Sequence, residues 1–201
     1  MRELKKLVLA TGNPGKVREL NALLGGLGME VLPQSAFGVP EAQETGLSFV
    51  ENAILKARNA ARHSGLPAIA DDSGIEVDAL NGAPGIYSAR YAGPGASDQA
   101  NLEKLVEVLR GVPEAGRSAR YQCLLVLMRH AEDPTPLICH GVWEGRVIDI
   151  PRGSHGFGYD PVFLIPELGL TAAELDPATK NRLSHRGQAL RQLLARLSLG
   201  R

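Results

Sequence analysis

The sequence predicts an α/β fold built on a mixed β-sheet flanked by helices, and three observations carry that prediction. Short apolar runs alternate with segments of helical spacing along the chain. The first run, Leu7-Val8-Leu9-Ala10, breaks at Thr11-Gly12-Asn13-Pro14-Gly15 and resumes as a helical pattern from Lys16, which is a strand, a tight turn and a helix start. Farther on, Tyr121 to Met128 is almost continuously apolar, as a central strand buried on both faces requires. No internal repeat, low-complexity segment or linker interrupts the 201 residues, so a single α/β domain over 1–201 is expected.

The elements follow in order. Val17, Leu20, Leu23 and Leu24 have helical spacing, and Gly25, Gly26 and Gly28 stop that helix. Met29 to Leu32 reads as a second strand, and Pro33 to Pro40 as loop. Ser48-Phe49-Val50-Glu51 is a capping box, opening a helix to about His63 whose buried face is Val50, Ala53, Ile54, Ala57 and Ala61. Pro67 to Ala70 is expected to be a short strand ending at Asp71-Asp72-Ser73-Gly74, with an extended pattern restarting over Ile75 to Leu80. Gly82 to Gly85 is a turn. A helix begins around Asp98, with Leu102, Leu105, Val106 and Leu109 as its core face and Gly111 as its stop. Leu137 to Ile150 returns as one or two strands in a long hairpin, and Val162 to Ile165 is a further strand. Asp176-Pro177 supplies an N-cap with proline at the first helical position, for a short helix carrying Lys180. Ser184 to Gly187 opens the last helix, with Ala189, Leu190, Leu193, Leu194 and Leu197 as its core face.

Composition narrows the classes. Hydrophobic residues make up 44%, enough for a sizeable core, and the formal net charge is zero. A DNA- or RNA-binding face is disfavoured by that balance and by the lack of a basic stripe. Cys123 and Cys139 sit in apolar stretches outside any C-x-x-C pair, which points to buried free thiols in a reducing compartment rather than a cysteine zinc site. With no signal peptide or membrane span in view, a cytoplasmic protein is expected.

Four polar segments carry the chemistry: 11–16, 44–46, 71–74 and 153–160, with a fifth cluster at Lys180, His185 and Arg186. Amides at a glycine turn leading into a helix form an anion site, and Lys16 adds a full charge there. A Walker A loop would need Gly at 10 and Ser or Thr at 17, where this chain has Ala10 and Val17, so the turn is not a P-loop. Glu44, Asp71 and Asp72 suit Mg²⁺, which prefers oxygen ligands. Glu44 precedes a helix face carrying Asn52 and Lys56, and Lys16 and Lys56 are candidate phosphate holders. Phe157 or Tyr159 can stack on a base, while Lys180, His185 and Arg186 are donors suited to base carbonyls. Taken together, these groups meet the needs of a nucleoside triphosphate.

The same residues carry a resemblance. The sequence resembles the inosine triphosphatase family, the dITP/XTP pyrophosphatases that clear non-standard purine nucleotides. The matching segments are Thr11 to Lys16, Glu44-Thr45-Gly46, Glu51 to Ala57, Ala70 to Gly74, Gly82 to Tyr91, Phe157 to Pro161 and Ser184 to Gly187, in the family's order. The resemblance implies Mg²⁺-dependent hydrolysis of a triphosphate to the monophosphate and diphosphate. It also implies an elongated mixed α/β fold of two lobes with the active-site cleft between them, and a homodimer. Carried over, Thr11, Gly12, Asn13, Pro14, Gly15 and Lys16 line the triphosphate, and Glu44 and Asp72 serve the metal. Asp72 is also the proton acceptor. Ser73, Phe157, Gly158, Tyr159, Asp160, Lys180, His185 and Arg186 contact the substrate. The residues alone leave Asp71 and Asp72 as alternatives for the proton acceptor. Donors aimed at the purine 6-position accept a 6-oxo group and reject adenine's 6-amino group, but they do not account for rejection of guanine. Two other classes fit part of the pattern: a non-catalytic nucleotide-binding module, and a hydrolase of modified pyrimidine nucleotides.

Overall fold

A computed structural model describes residues 6–13, 16, 17, 21 and 29–199. The expected helix core at Leu20, Leu23 and Leu24 and its glycine stop at 25–28 lie outside the described residues, as do Pro14 and Gly15. One seven-stranded sheet runs in the order β2-β1-β3-β4-β5-β6-β7. Its strands are β1 (Lys6–Leu9), β2 (Glu30–Pro33), β3 (Ala68–Val77), β4 (Ser118–Met128), β5 (Leu137–Val147), β6 (Phe163–Ile165) and β7 (Leu170–Thr171). Among the described residues, the helices bounded at both ends are α1 (Phe49–Ser64), α2 (Asp98–Val108), α3 (Pro177–Leu183) and α4 (His185–Leu199). β1 is parallel to both β2 and β3, whereas β6 is antiparallel to β5 and β7, so the sheet is mixed as expected.

The chain divides into two compact units. The first comprises Met1–Asp72, Cys123–Gly141 and Arg186–Arg201, and the second Ser73–Gln122 and Val142–His185. The first unit follows from side-chain alternation along its strands. Leu7, Leu9 and Ile69 point to one face and pack with Cys123, Leu125, Cys139 and the α4 residues Ala189, Leu190 and Leu193. Val8, Ala10, Ala68 and Ala70 point to the other face and pack with Ala53, Ala57, Ala60 and Ala61 of α1. The small side chains on both surfaces let α1 lie close to the sheet. In the second unit Ile75 and Val77 of β3 pack with Leu102 and Leu105 of α2, with Tyr121 and Trp143, and with Phe163 and Ile165 of β6.

Local signals act as the residues dictate. Ser48 Oγ accepts from the Glu51 N–H (3.4 Å) and donates to Glu51 Oε2 (2.7 Å), while the returning backbone bond comes from Leu47 N–H (2.9 Å). An N-cap of this kind contributes about 1 kcal/mol. Asp176 caps α3 by accepting from Thr179 N–H at 2.9 Å.

Three expectations need correction. Asp71 and Asp72 do not end a short strand, because β3 runs unbroken from Ala68 to Val77 with both acids inside it. The strand tolerates them because each acid faces its own cation, as described below. The buried face of α1 is rotated from the one expected: Phe49, Asn52 and Ala60 are buried, while Val50 and Ile54 are only partly so. Packing of the small alanines against the sheet, rather than side-chain size, sets that face. Leu137 onward forms a single strand, one of the two outcomes expected, but it ends at Val147 and does not reach Ile150, and β7 carries no sequence pattern of its own.

Candidate functional site

In the first unit, consecutive acids are split by the strand that carries them. Successive side chains of β3 leave opposite faces, so Asp71 joins the α4 face and Asp72 the α1 face. Asp71 Oδ2 lies 3.0 Å from Lys16 Nζ and 3.3 Å from Arg186 Nη2, and its side chain has no solvent exposure. Asp72 Oδ1 lies 2.6 Å from Lys56 Nζ, which also reaches Glu44 Oε1 at 3.2 Å. Lys56 projects from α1 one turn after Asn52, whose Oδ1 accepts from Gly46 N–H at 2.9 Å and ties down the segment after Glu44. A Cβ on Gly46 would meet Glu51 Cβ at 2.5 Å and Asn52 Oδ1 at 2.8 Å, so glycine is required for that approach.

Electrostatics separate the two acids. Burial pushes the Asp71 carboxyl up, but the charges of Lys16, Arg186 and Lys56 prevail and hold it well below the ordinary carboxylate range. At Asp72, burial outweighs the attraction of Lys56 and Lys16, and the carboxyl is raised. Burial lowers the Lys56 ammonium, but the combined charges of Asp72, Asp71 and Glu44 raise it overall. Asp72 Oδ2 is buried and has no hydrogen-bond partner among the described residues, which leaves one carboxylate oxygen available.

The turn after β1 is organised by its own side chains. Thr11 Oγ1 accepts from Asn13 N–H (3.2 Å), and Asn13 Oδ1 accepts from Lys16 N–H (3.1 Å), so Asn13 holds the Lys16 backbone. Gly12 lies outside the left-handed φ range, and nothing lies within 4 Å of a Cβ built there. The fold itself therefore does not demand glycine at 12.

In the second unit, Asp160 is an organising carboxylate. Its Oδ2 accepts from Lys180 Nζ (2.8 Å) and from Phe157 N–H (2.8 Å), and its Oδ1 accepts from Tyr121 OH (3.2 Å). Lys180 Nζ also lies 5.1 Å from the centre of the half-buried Phe157 ring. Gly158 N–H donates to Asp98 Oδ2 (2.9 Å), and Tyr159 OH donates to the Ser88 carbonyl (2.7 Å). Burial, helped by Tyr91 and Asp98, raises the Tyr159 phenol, so it stays a neutral donor. His185 stacks on Tyr121 at 4.6 Å and 11°. Ser73 is partly exposed on β3.

The residues singled out in the sequence fall in both units. Lys16, Glu44, Lys56, Asp71, Asp72 and Arg186 belong to the first unit, where Arg186 pairs with Asp71. Phe157 to Asp160, Lys180 and His185 belong to the second. Tyr121 and Asp98 were missed, because nothing local in the sequence ties an aromatic in a strand, or a first-turn aspartate, to a loop so distant in the chain. Tyr159 and Asp160, expected at the substrate, are buried with polar partners inside the protein.

The fold is thus a mixed α/β sheet with lysines set against adjacent carboxylates, Lys16 at Asp71 and Lys56 at Asp72 and Glu44. Residues 7–196 match the Ham1 family, and the chain belongs to that family. It is 69% identical to the dITP/XTP pyrophosphatase of Thioalkalivibrio sulfidiphilus over 192 residues, covering 96% of this chain and 98% of that protein. It is 64% identical to the dITP/XTP pyrophosphatase of Vibrio parahaemolyticus, covering 97% and 98%. The fold is similar to a HAM1 protein from Coxiella burnetii, with a TM-score of 0.90, 52% identity and coverage of 96% and 98%. No helix among the described residues is long and apolar enough to cross a membrane.

Proposed function

We propose that the chain hydrolyses non-standard purine nucleoside triphosphates, dITP, ITP and XTP, to the monophosphate and diphosphate, with Mg²⁺ as cofactor. The names of its relatives support the substrate class. The observation that carries the chemistry is the split acid pair, Asp71 locked between Lys16 and Arg186 and Asp72 sharing Lys56 with Glu44.

Asp72 and Glu44 are the residues that would hold the metal. Their donors are all oxygen, and Asp72 Oδ2 has no hydrogen-bond partner among the described residues. Among the described residues no cluster of three or more acids, histidines or cysteines forms a complete cage. Two carboxylates completed by substrate phosphates is the arrangement Mg²⁺ commonly takes. Bound there, the ion would supply positive charge to the phosphate oxygens.

The chain's own residues account for the remaining steps. Water oxygen bonds to the α-phosphorus, the bond from that phosphorus to the bridging oxygen breaks, and its electron pair leaves with diphosphate. Asp72 takes the proton of the water. Its raised carboxyl and available oxygen suit a base better than Asp71, which Lys16, Arg186 and Lys56 hold ionised and weakly basic. Lys16 and Lys56 stabilise the charge growing on the diphosphate. Phe157 stacks on the base, and Lys180 and His185 donate to its 6-oxo group. A 6-amino group would leave those donors unpaired, a mismatch that can cost ~10⁴–10⁵ in specificity.

A homodimer and a cytoplasmic location complete the reading; buried, free Cys123 and Cys139 support a reducing compartment. The test is incubation with dITP, XTP, ATP and GTP plus Mg²⁺ with product identification. Diphosphate from dITP and XTP is expected, and orthophosphate as the first product would overturn the assigned bond.

A further inference from the structure

Tyr121 is buried on β4; it stacks on one proposed base-reading donor, His185, and is linked to the other, Lys180, through Asp160. Its ring lies face to face with His185, 4.6 Å between centroids and 11° between planes. Phe163 braces the same ring at 4.5 Å and 49°, and Trp143 lies 6.4 Å from both Tyr121 and His185. Stacking of this kind fixes the plane of an imidazole and so the directions of its two nitrogens. At its far end the Tyr121 hydroxyl donates to Asp160 Oδ1 (3.2 Å). With one oxygen held there, the carboxylate presents Oδ2 to Lys180 Nζ and Phe157 N–H. The loop passes close to this carboxylate, since a Cβ on Gly156 would come within 2.1 Å of Oδ2.

We propose that Tyr121 is a positioning residue for purine recognition, setting the plane of His185 by stacking and the direction of Lys180 through Asp160. The inference rests on the reading that Lys180 and His185 donate to the 6-oxo group, and adds to it the residue that aims them. Tyr121 touches no reacting atom. Its role is the coupling of two donors from α3 and α4 into one template.

The test compares kcat/KM for inosine triphosphate with that for purine riboside triphosphate, which carries hydrogen at the 6-position. Wild type, Tyr121→Phe and Tyr121→Leu are measured, with Tm recorded for each. The phenylalanine variant keeps the stack and loses one hydrogen bond to a carboxylate, so the preference for the 6-oxo substrate falls roughly tenfold. The leucine variant loses both, and the preference falls by ~10² or more. A purely structural role would lower both substrates together and leave the ratio unchanged. A ratio within about twofold of wild type in the folded variants overturns the proposal, and the phenylalanine variant decides alone if the leucine variant does not fold. A wild type with no preference between the two substrates would instead overturn the assignment of Lys180 and His185 as base readers.

Discussion

Lys56 Nζ sits 2.6 Å from Asp72 Oδ1 and 3.2 Å from Glu44 Oε1, so a single ammonium group bridges two carboxylates. One residue earlier along β3, Asp71 leaves the other face of the strand and takes Lys16 and Arg186 as its partners. Two adjacent acids thus occupy two electrostatic environments, one strongly ionised and one raised toward proton transfer.

Replacement of Asp72 by Asn removes the proposed base and a proposed metal ligand while retaining the side-chain volume. We expect kcat on dITP to fall by ~10²–10⁴ with little change in Tm, since the wild-type carboxyl is disfavoured by burial. Burial raises the Asp72 carboxyl in the protein without metal. Near-normal kcat in the variant would remove Asp72 from the proton-accepting role.

Asp71 makes the opposite prediction for stability. Its folded-state pKa is depressed from the ordinary 3.8, so its contribution is present above 3.8 and is lost as the pH falls below it. Asp71→Asn also leaves Lys16 and Arg186 without their shared carboxylate, a loss of about 3–5 kcal/mol at neutral pH for a buried pair broken on one side. Thermal melts of wild type and variant should therefore converge as the pH is lowered below 3.8. A Tm difference constant from pH 7 to the acid side would contradict the depressed pKa.

Lys56→Ala separates metal binding from phosphate binding. Without the bridging ammonium, Glu44 and Asp72 repel each other and attract a divalent cation more strongly. Titration calorimetry with Mg²⁺ alone should show tighter binding than in wild type, while kcat/KM for dITP falls by about 10² through the lost phosphate charge. Weaker Mg²⁺ binding in the variant would mean that Glu44 and Asp72 do not form the metal site.

Gly156 has φ +81°, and a Cβ there would lie 2.1 Å from Asp160 Oδ2 and 3.0 Å from Lys180 Nζ. Gly156→Ala combines left-handed strain with that collision, a cost of about 2 kcal/mol. The Tm should fall by roughly 4–8 °C, and KM for dITP should rise as Lys180 is displaced. A KM unchanged at saturating Mg²⁺ would detach the Asp160–Lys180 pair from substrate binding.

Much of this protein is determined by local sequence. The capping box at Ser48, the Asp176-Pro177 helix start, the apolar run of β4 and the alternation along β1 are short-range signals, and each forms the element expected of it. The residue types at the candidate site are equally local, since glycine turns, paired acids and lone lysines stand out against an apolar background. Only tertiary structure decided which acid meets which cation. Asp71 and Asp72 are indistinguishable in the sequence until an unbroken β3 sends them to opposite faces, and Arg186 reaches Asp71 across 115 positions of the chain. Tyr121 gained its partners the same way, 39 positions from Asp160, because the pairing of distant segments depends on how layers pack and not on any neighbour in sequence.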